Sequence, residues 1–156
     1  MKILNIFFLT IGLLVFNTGI KAENLSADKP VDIVVYRSPT CECCGKWIEH
    51  LKKNNFNVQE IVTDDVQTIK NKYGVPEAMA SCHTAIADGY VIEGHVPAND
   101  IMKLLKNKPK IIGIAVPGMP SGAPGMEMGD RKDAYNVMSF DKENRYEIFN
   151  SYKGKQ

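Results

Sequence analysis

The sequence predicts a single α/β domain, on three observations. Runs rich in β-branched residues alternate with stretches of helical periodicity, beginning with Val31-Asp32-Ile33-Val34-Val35-Tyr36 and then the apolar positions Cys44, Trp47, Ile48 and Leu51. Two short apolar runs meet at Asp88-Gly89, a dipeptide that favours a tight hairpin. The chain has 156 residues, 44% hydrophobic and 24% charged, which suits one buried core and excludes collagen-like, disordered and multi-span membrane classes.

The domain is preceded by a targeting segment. Met1-Lys2 is followed by an apolar stretch from Ile3 to Phe16, interrupted only by Asn5, Thr10 and Gly12, and the run closes on Lys21-Ala22. A short positive start, an apolar stretch too short to span a bilayer comfortably and a small residue at its end predict a secretory signal peptide over 1–22, cleaved after Ala22. The mature domain is then 23–156, with no membrane span, in the periplasm or otherwise exported. No cysteine follows the apolar stretch, so no lipid anchor is expected. The full chain carries 19 basic and 18 acidic residues, a formal charge of +1. Losing Lys2 and Lys21 leaves 17 − 18 = −1. A near-neutral chain without a Lys/Arg cluster offers no electrostatic footprint for nucleic acid or an anionic membrane surface.

Val31 to Tyr36 reads as a buried strand that stops at Ser38-Pro39-Thr40, where a helix begins and Asn54-Asn55 ends it. Phe56 to Val62 is a second strand. Val66 to Tyr73 is a helix, with Asp64 or Asp65 as N-cap and Gly74 as its stop. Cys82 to Ala87 and Tyr90 to Gly94 form the hairpin. Pro97 opens a helix in which Asn99 and Asp100 favour the positive end and Lys103, Lys106 and Lys108 the negative end, on a solvated face, and Pro109 terminates it. Ile111 to Val116 is a further strand. Residues 117–129 hold four glycines, three prolines and three methionines, a constrained loop rather than an element. Tyr135 to Phe140 and Tyr146 to Tyr152 form a C-terminal hairpin.

This order of elements, with a Cys-x-x-Cys at the first strand-to-helix turn, resembles the thioredoxin fold over roughly Val31 to Lys108. Tyr73-Gly74-Val75 is similar to the run by which thioredoxins approach the loop facing their redox pair. That loop holds a cis-proline in thioredoxins, and Ser81-Cys82-His83 stands in its place here. The resemblance implies that Cys82 lies beside the first cysteine cluster.

Cys41-Glu42-Cys43-Cys44 begins a helix, where free backbone N–H groups and the helix dipole favour thiolate, the form that acts as nucleophile and soft metal ligand. A disulfide between the adjacent Cys43 and Cys44 would be strained, since neighbouring Cα atoms lie about 3.8 Å apart and bridges need roughly 4.4 to 6.8 Å. A plain oxidoreductase needs two sulfurs, so the extra cysteines favour a soft cation, and Cu(I) suits an exported protein. Three alternatives stay open: zinc on Cys41, Cys44, Cys82 and His83; thiol-disulfide chemistry on Cys41 and Cys44; and purely structural cysteines.

The runs Tyr36-Arg37-Ser38-Pro39-Thr40-Cys41-x-Cys43-Cys44-x-x-Trp47, Ala80-Ser81-Cys82-His83-Thr84, Gly89 to Pro97, Val116-Pro117-Gly118-Met119-Pro120 and Pro124-Gly125-Met126-Glu127-Met128 resemble the domain of unknown function 411 family. That family includes the CopG-type periplasmic copper-resistance proteins. The resemblance covers most of the mature chain. It implies a thioredoxin-like fold and Cu(I) held by cysteines matching Cys41, Cys43, Cys44 and Cys82, in copper tolerance or in trafficking with another periplasmic copper-handling protein. Catalysis is not required for that role. Glu42 departs from the glycine expected in most relatives, and its carboxylate adds negative charge beside the thiolates. His83, Met119, Met126 and Met128 are further candidate ligands. The methionines also suit an apolar pinning of the loop. His50 is placed at the edge of the site and His95 in a turn before Pro97.

Overall fold

The computed structural model describes residues 29–155, so the signal-peptide segment and the cleavage point lie outside the described residues. Among the described residues no helix is long and apolar enough to cross a membrane. The elements are β1 (Val31–Arg37), α1 (Glu42–Lys53), β2 (Phe56–Val62), α2 (Val66–Tyr73), β3 (His83–Ala87), β4 (Tyr90–Glu93), α3 (Ala98–Asn107), β5 (Gly113–Ala115), β6 (Tyr135–Phe140) and β7 (Tyr146–Tyr152). A short 3₁₀ turn at Glu77–Met79, not foreseen from the sequence, lies between α2 and β3.

The seven strands of the described residues form one sheet in the order β2-β1-β3-β4-β5-β6-β7. The pairs β1/β2 and β4/β5 are parallel and the others antiparallel. Strand side chains alternate between faces, so the sheet is covered on both sides. Ala85, Ala87, Ile92 and Ile114 join Trp47, Leu51, Ile101 and Leu104 of α1 and α3 in the main core. Their neighbours Ile86, Val91 and Ala115 face the opposite side, with Val75, Met79 and Phe140.

Local chemistry sets the boundaries. Asp65 caps α2 by accepting from the Thr68 N–H at 3.0 Å, and Gly74 ends it in the left-handed region at φ +70°. The β3–β4 turn uses two positive φ values, at Asp88 (+46°) and Gly89 (+81°), as a tight hairpin requires. Three expected strands are shorter than their runs, and β4 is one of them, ending at Glu93 before Gly94 turns the chain. β3 begins at His83 rather than Cys82 because the ladder with β1 stops at the pair Arg37 and His83. β5 spans only Gly113–Ala115 of the run from Ile111 to Val116. Asp100 has a role other than the helix dipole: it is buried and accepts from Asn150 Nδ2 at 2.8 Å and Tyr152 Oη at 2.7 Å, docking β7 on α3. Lys103 also sits on this hairpin, its Nζ 5.0 Å from the centre of the Phe149 ring.

Candidate metal centre

β1 delivers the chain to the tight turn in which the Cys41 N–H donates to the Ser38 carbonyl at 3.3 Å, and α1 starts at the next residue. One helical turn then brings Cys41 and Cys44 together, Cα to Cα 5.4 Å, and their sulfurs are joined as a disulfide. Cys43 points aside from this pair, with its Sγ 3.6 Å from that of Cys41. Cys43 and Cys82 are free thiols.

Cys82 arrives from the other side. The antiparallel register of β1 and β3 sets His83 opposite Arg37, so the residue before β3 lies beside the turn that starts α1. One sulfur from each of Cys41, Cys43, Cys44 and Cys82 falls within a group whose members all lie within 4.8 Å of one another. Burial is the main influence on the Cys82 thiol and, with Cys43 beside it, pushes its pKa up to about 12. A metal ion there would have to displace that proton.

Cys82 belongs to a second donor group, with His83 and His95. After β4 the chain turns at Gly94, φ +70°, where a Cβ would stand 2.8 Å from the Val116 carbonyl oxygen, and His95 re-enters the core fully buried. Its Nδ1 lies 2.8 Å from the Pro124 carbonyl, which can only accept, so Nδ1 carries the proton and Nε2 presents a lone pair to Cys82 Sγ at 3.2 Å. His83 Nδ1 lies 3.2 Å from the same sulfur. Its Nε2 is buried without a hydrogen-bond partner among the described residues, and its ring lies against that of Trp47, 4.3 Å from centre to centre. Burial holds both imidazoles below the ordinary histidine range, so they are neutral donors at pH 7. His95 was placed in a turn from sequence alone, and its contact with Cys82 is what that placement missed.

The loop 117–129 borders both sides of this centre. A cleft of about 410 Å³ joins Cys41 and Cys43 to Met126 and Met128, and another of about 360 Å³ joins Cys82 to Met119. Met119 and Met128 are 57% and 70% exposed, so neither pins the loop to the core. Gly125 does: at φ +82° its Cα packs so closely on α1 that a Cβ would meet Trp47 N at 2.8 Å and the Cys43 carbonyl oxygen at 2.9 Å. His50 stands apart from the sulfurs. Its Nε2 accepts from the Ala98 N–H at 3.1 Å and so supplies the cap that Pro97 lacks at the start of α3.

A family model for a protein of unknown function, DUF411, matches residues 79–126. Two solved structures, Form 1 and Form 2 of copper resistance protein copG, match with TM-scores of 0.77 and 0.76 and identities of 47% and 46%. The matches cover 81% and 80% of this chain and 100% and 99% of those chains. The chain belongs to the DUF411 family. The DUF411 segment carries Cys82, His83, His95 and the loop through Met126, while the Cys41-Cys43-Cys44 cluster lies N-terminal to it. A comparison with curated proteins finds no match.

Proposed function

We propose that this chain is an exported protein that holds Cu(I) through Cys41, Cys43, Cys44 and Cys82, in copper tolerance or in passing copper to another periplasmic copper-handling protein. The observation that carries the proposal is the convergence of four sulfurs from two segments far apart in sequence, on a chain nearly half identical to a copper resistance protein. Thiolates are soft donors, and Cu(I) favours them over the oxygen ligands that suit harder ions. A thioredoxin-like classification is supported by the order β2-β1-β3-β4, with β1/β2 parallel and β3 antiparallel to both β1 and β4. A leader over 1–22, removed to leave 23–156, would deliver the domain to the periplasm.

Loading all four sulfurs requires a thiol reductant. Two electrons and two protons open the Cys41–Cys44 bond to two thiols while the reductant is oxidised, and Cu(I) then displaces thiol protons as it binds. With the bond closed, Cys43, Cys82, His83 and His95 remain. Zinc is the less favoured cargo, since the cysteines lack paired-knuckle spacing. The same disulfide favours a second reading, a thiol-disulfide oxidoreductase using Cys41 and Cys44.

The deciding experiment compares reduced and oxidised protein for Cu(I) uptake against a competing chelator, alongside a disulfide-reduction assay without metal. Strong uptake by the reduced form alone supports the copper function. Equal binding by both forms removes the cysteines from the site, and rapid metal-free turnover favours the oxidoreductase.

A further inference from the structure

Residues 81 and 82 lie beyond the end of the β1/β3 ladder, so no strand pairing fixes the segment that carries the Cys82 sulfur. What holds it is a carboxylate. Glu93 of β4 is fully buried, and its Oε1 accepts from the Ser81 N–H at 2.6 Å. The same carboxylate accepts from Thr84 Oγ1 at 2.7 Å and from Lys70 Nζ of α2 at 2.5 Å. Lys70 is itself only 5% exposed and also donates to Thr84 Oγ1 at 3.0 Å. Ser81 is anchored a second time where its Oγ donates to the Gly118 carbonyl at 2.8 Å.

Buried ion pairs are a weak source of stability. Replacing one by apolar residues of similar volume is often neutral or stabilising, because two desolvated charges barely recover their hydration. The Lys70–Glu93 pair therefore needs another account, and the Ser81 N–H supplies it. An apolar residue at 93 leaves that donor, one residue from Cys82, without its acceptor. Lys70 makes an ionised Glu93 tolerable inside the protein.

We propose that Glu93, neutralised by Lys70, is the positioning residue of Cys82: by holding the Ser81 N–H it aims the neighbouring sulfur at the cysteines of α1. This rests on the assignment of Cys82 as a copper ligand.

Two double variants separate anchoring from charge. Lys70→Met/Glu93→Met removes both charges and the acceptor. Lys70→Met/Glu93→Gln removes both charges and keeps a carbonyl oxygen for Ser81. Three quantities are measured on fully reduced protein: the urea midpoint, Cu(I) affinity by chelator competition, and the iodoacetamide alkylation rates of Cys82 and Cys43. The Met/Met variant is expected to fold with a somewhat lowered midpoint, because the Ser81 N–H and the Thr84 hydroxyl lose their acceptor, to lose about tenfold or more in Cu(I) affinity, as supporting residues around metal ligands commonly do, and to alter Cys82 alkylation severalfold with Cys43 unchanged. The Met/Gln variant is expected to match the wild type in all three.

Unchanged affinity and unchanged Cys82 alkylation in a folded Met/Met variant overturn the proposal. Equal losses in both variants also overturn it, because charge and not the anchor would then matter. If Met/Met does not fold, Met/Gln decides alone: wild-type Cys82 reactivity upholds the proposal and a severalfold change overturns it. If the wild-type protein takes up no Cu(I), the copper function fails, while the alkylation rates still decide whether Glu93 positions Cys82.

Discussion

His95 presents the unprotonated Nε2 of its ring to Cys82 Sγ at 3.2 Å, with its other nitrogen committed to the Pro124 carbonyl at 2.8 Å. The imidazole thereby ties the thiol that precedes β3 to the loop that follows β5. Replacing it with alanine leaves the Pro124 carbonyl without its donor, a cost of about 1–3 kcal/mol for a buried polar group. His95→Ala is expected to lower the urea midpoint accordingly and to weaken Cu(I) binding by reduced protein. Chelator competition and urea unfolding, run side by side, check both effects. An unchanged Cu(I) affinity would remove His95 from the centre.

Cys82→Ser is expected to reduce Cu(I) affinity by tenfold or more, at least about 1.4 kcal/mol, while the apo-protein folds normally. Serine nearly preserves the volume but offers a hard, neutral donor that Cu(I) does not favour. The remaining Cys41, Cys43 and Cys44 all lie on one helical turn and cannot easily surround an ion. In the oxidoreductase reading Cys41 and Cys44 suffice, and the variant keeps its thiol chemistry. Unchanged affinity with intact folding would exclude Cys82 as a ligand.

Acid is expected to destabilise the metal-free protein, beginning below about pH 6.5. Burial lowers the pKa values of His50, His83 and His95 in the folded state. The unfolded chain thus takes up protons first as the pH falls, so this contribution is complete above the unfolded histidine value of about 6.5 and is lost on descending toward the folded values. His50 adds a specific mark, because protonation removes the acceptor that caps α3. His50→Ala should cost about 1 kcal/mol at pH 7.5 and progressively less at lower pH. A penalty of the same size at pH 7.5 and 5.5 in urea unfolding would exclude the cap.

Gly125→Ala should be more damaging than Gly118→Ala, although both glycines have positive φ. Each substitution incurs the left-handed cost of about 1–2 kcal/mol. A Cβ at 118 enters open space, whereas at 125 it meets backbone atoms of α1 at 2.8 and 2.9 Å. Gly125→Ala must also shift the loop away from Cys43, so its Cu(I) affinity falls together with its midpoint. Equal midpoints for the two variants would argue against the close approach.

Tyr152→Phe should cost about 1.5–3 kcal/mol, the range for a hydrogen bond to a charged group, and leave Cu(I) affinity unchanged. The Tyr152–Asp100 contact belongs to the docking of β7 on α3 and touches none of the sulfurs. A drop in affinity would link the C-terminal hairpin to the metal centre.

The elements that sequence alone makes legible are those whose causes are local. Asp65 and Gly74 bracket α2 because capping depends on side chains within a few residues, and Asp88-Gly89 makes its turn for the same reason. Cys41, Cys43 and Cys44 announce themselves by spacing. Cys82 is placed beside them by the order of elements, but its histidine partner is not. His95 meets Cys82 only after β3 and β4 have paired and Gly94 has turned the chain inward. His50 caps a helix that begins far along the chain, and Lys70 looks in sequence like any solvated helical lysine. Asp100 sits where a first-turn carboxylate answers the helix dipole, and nothing near it announces that β7 will cover it. Each of these depends on tertiary approach, which residue type and spacing do not encode.

The ties around the sulfurs also set when the centre can exist. Trp47 donates to the Val96 carbonyl across 49 residues, and His95 reaches Pro124 across a further 29. Contacts of such separation close large loops, and their entropic cost must be met before they reward the chain. Because the loop through Gly125 completes the surroundings of Cys43, a chain emerging during synthesis carries its cysteines long before it carries their partners. Four sulfurs held in fixed relation are thus a product of finished folding, and under the proposed function the affinity for metal would double as a gauge of nativeness.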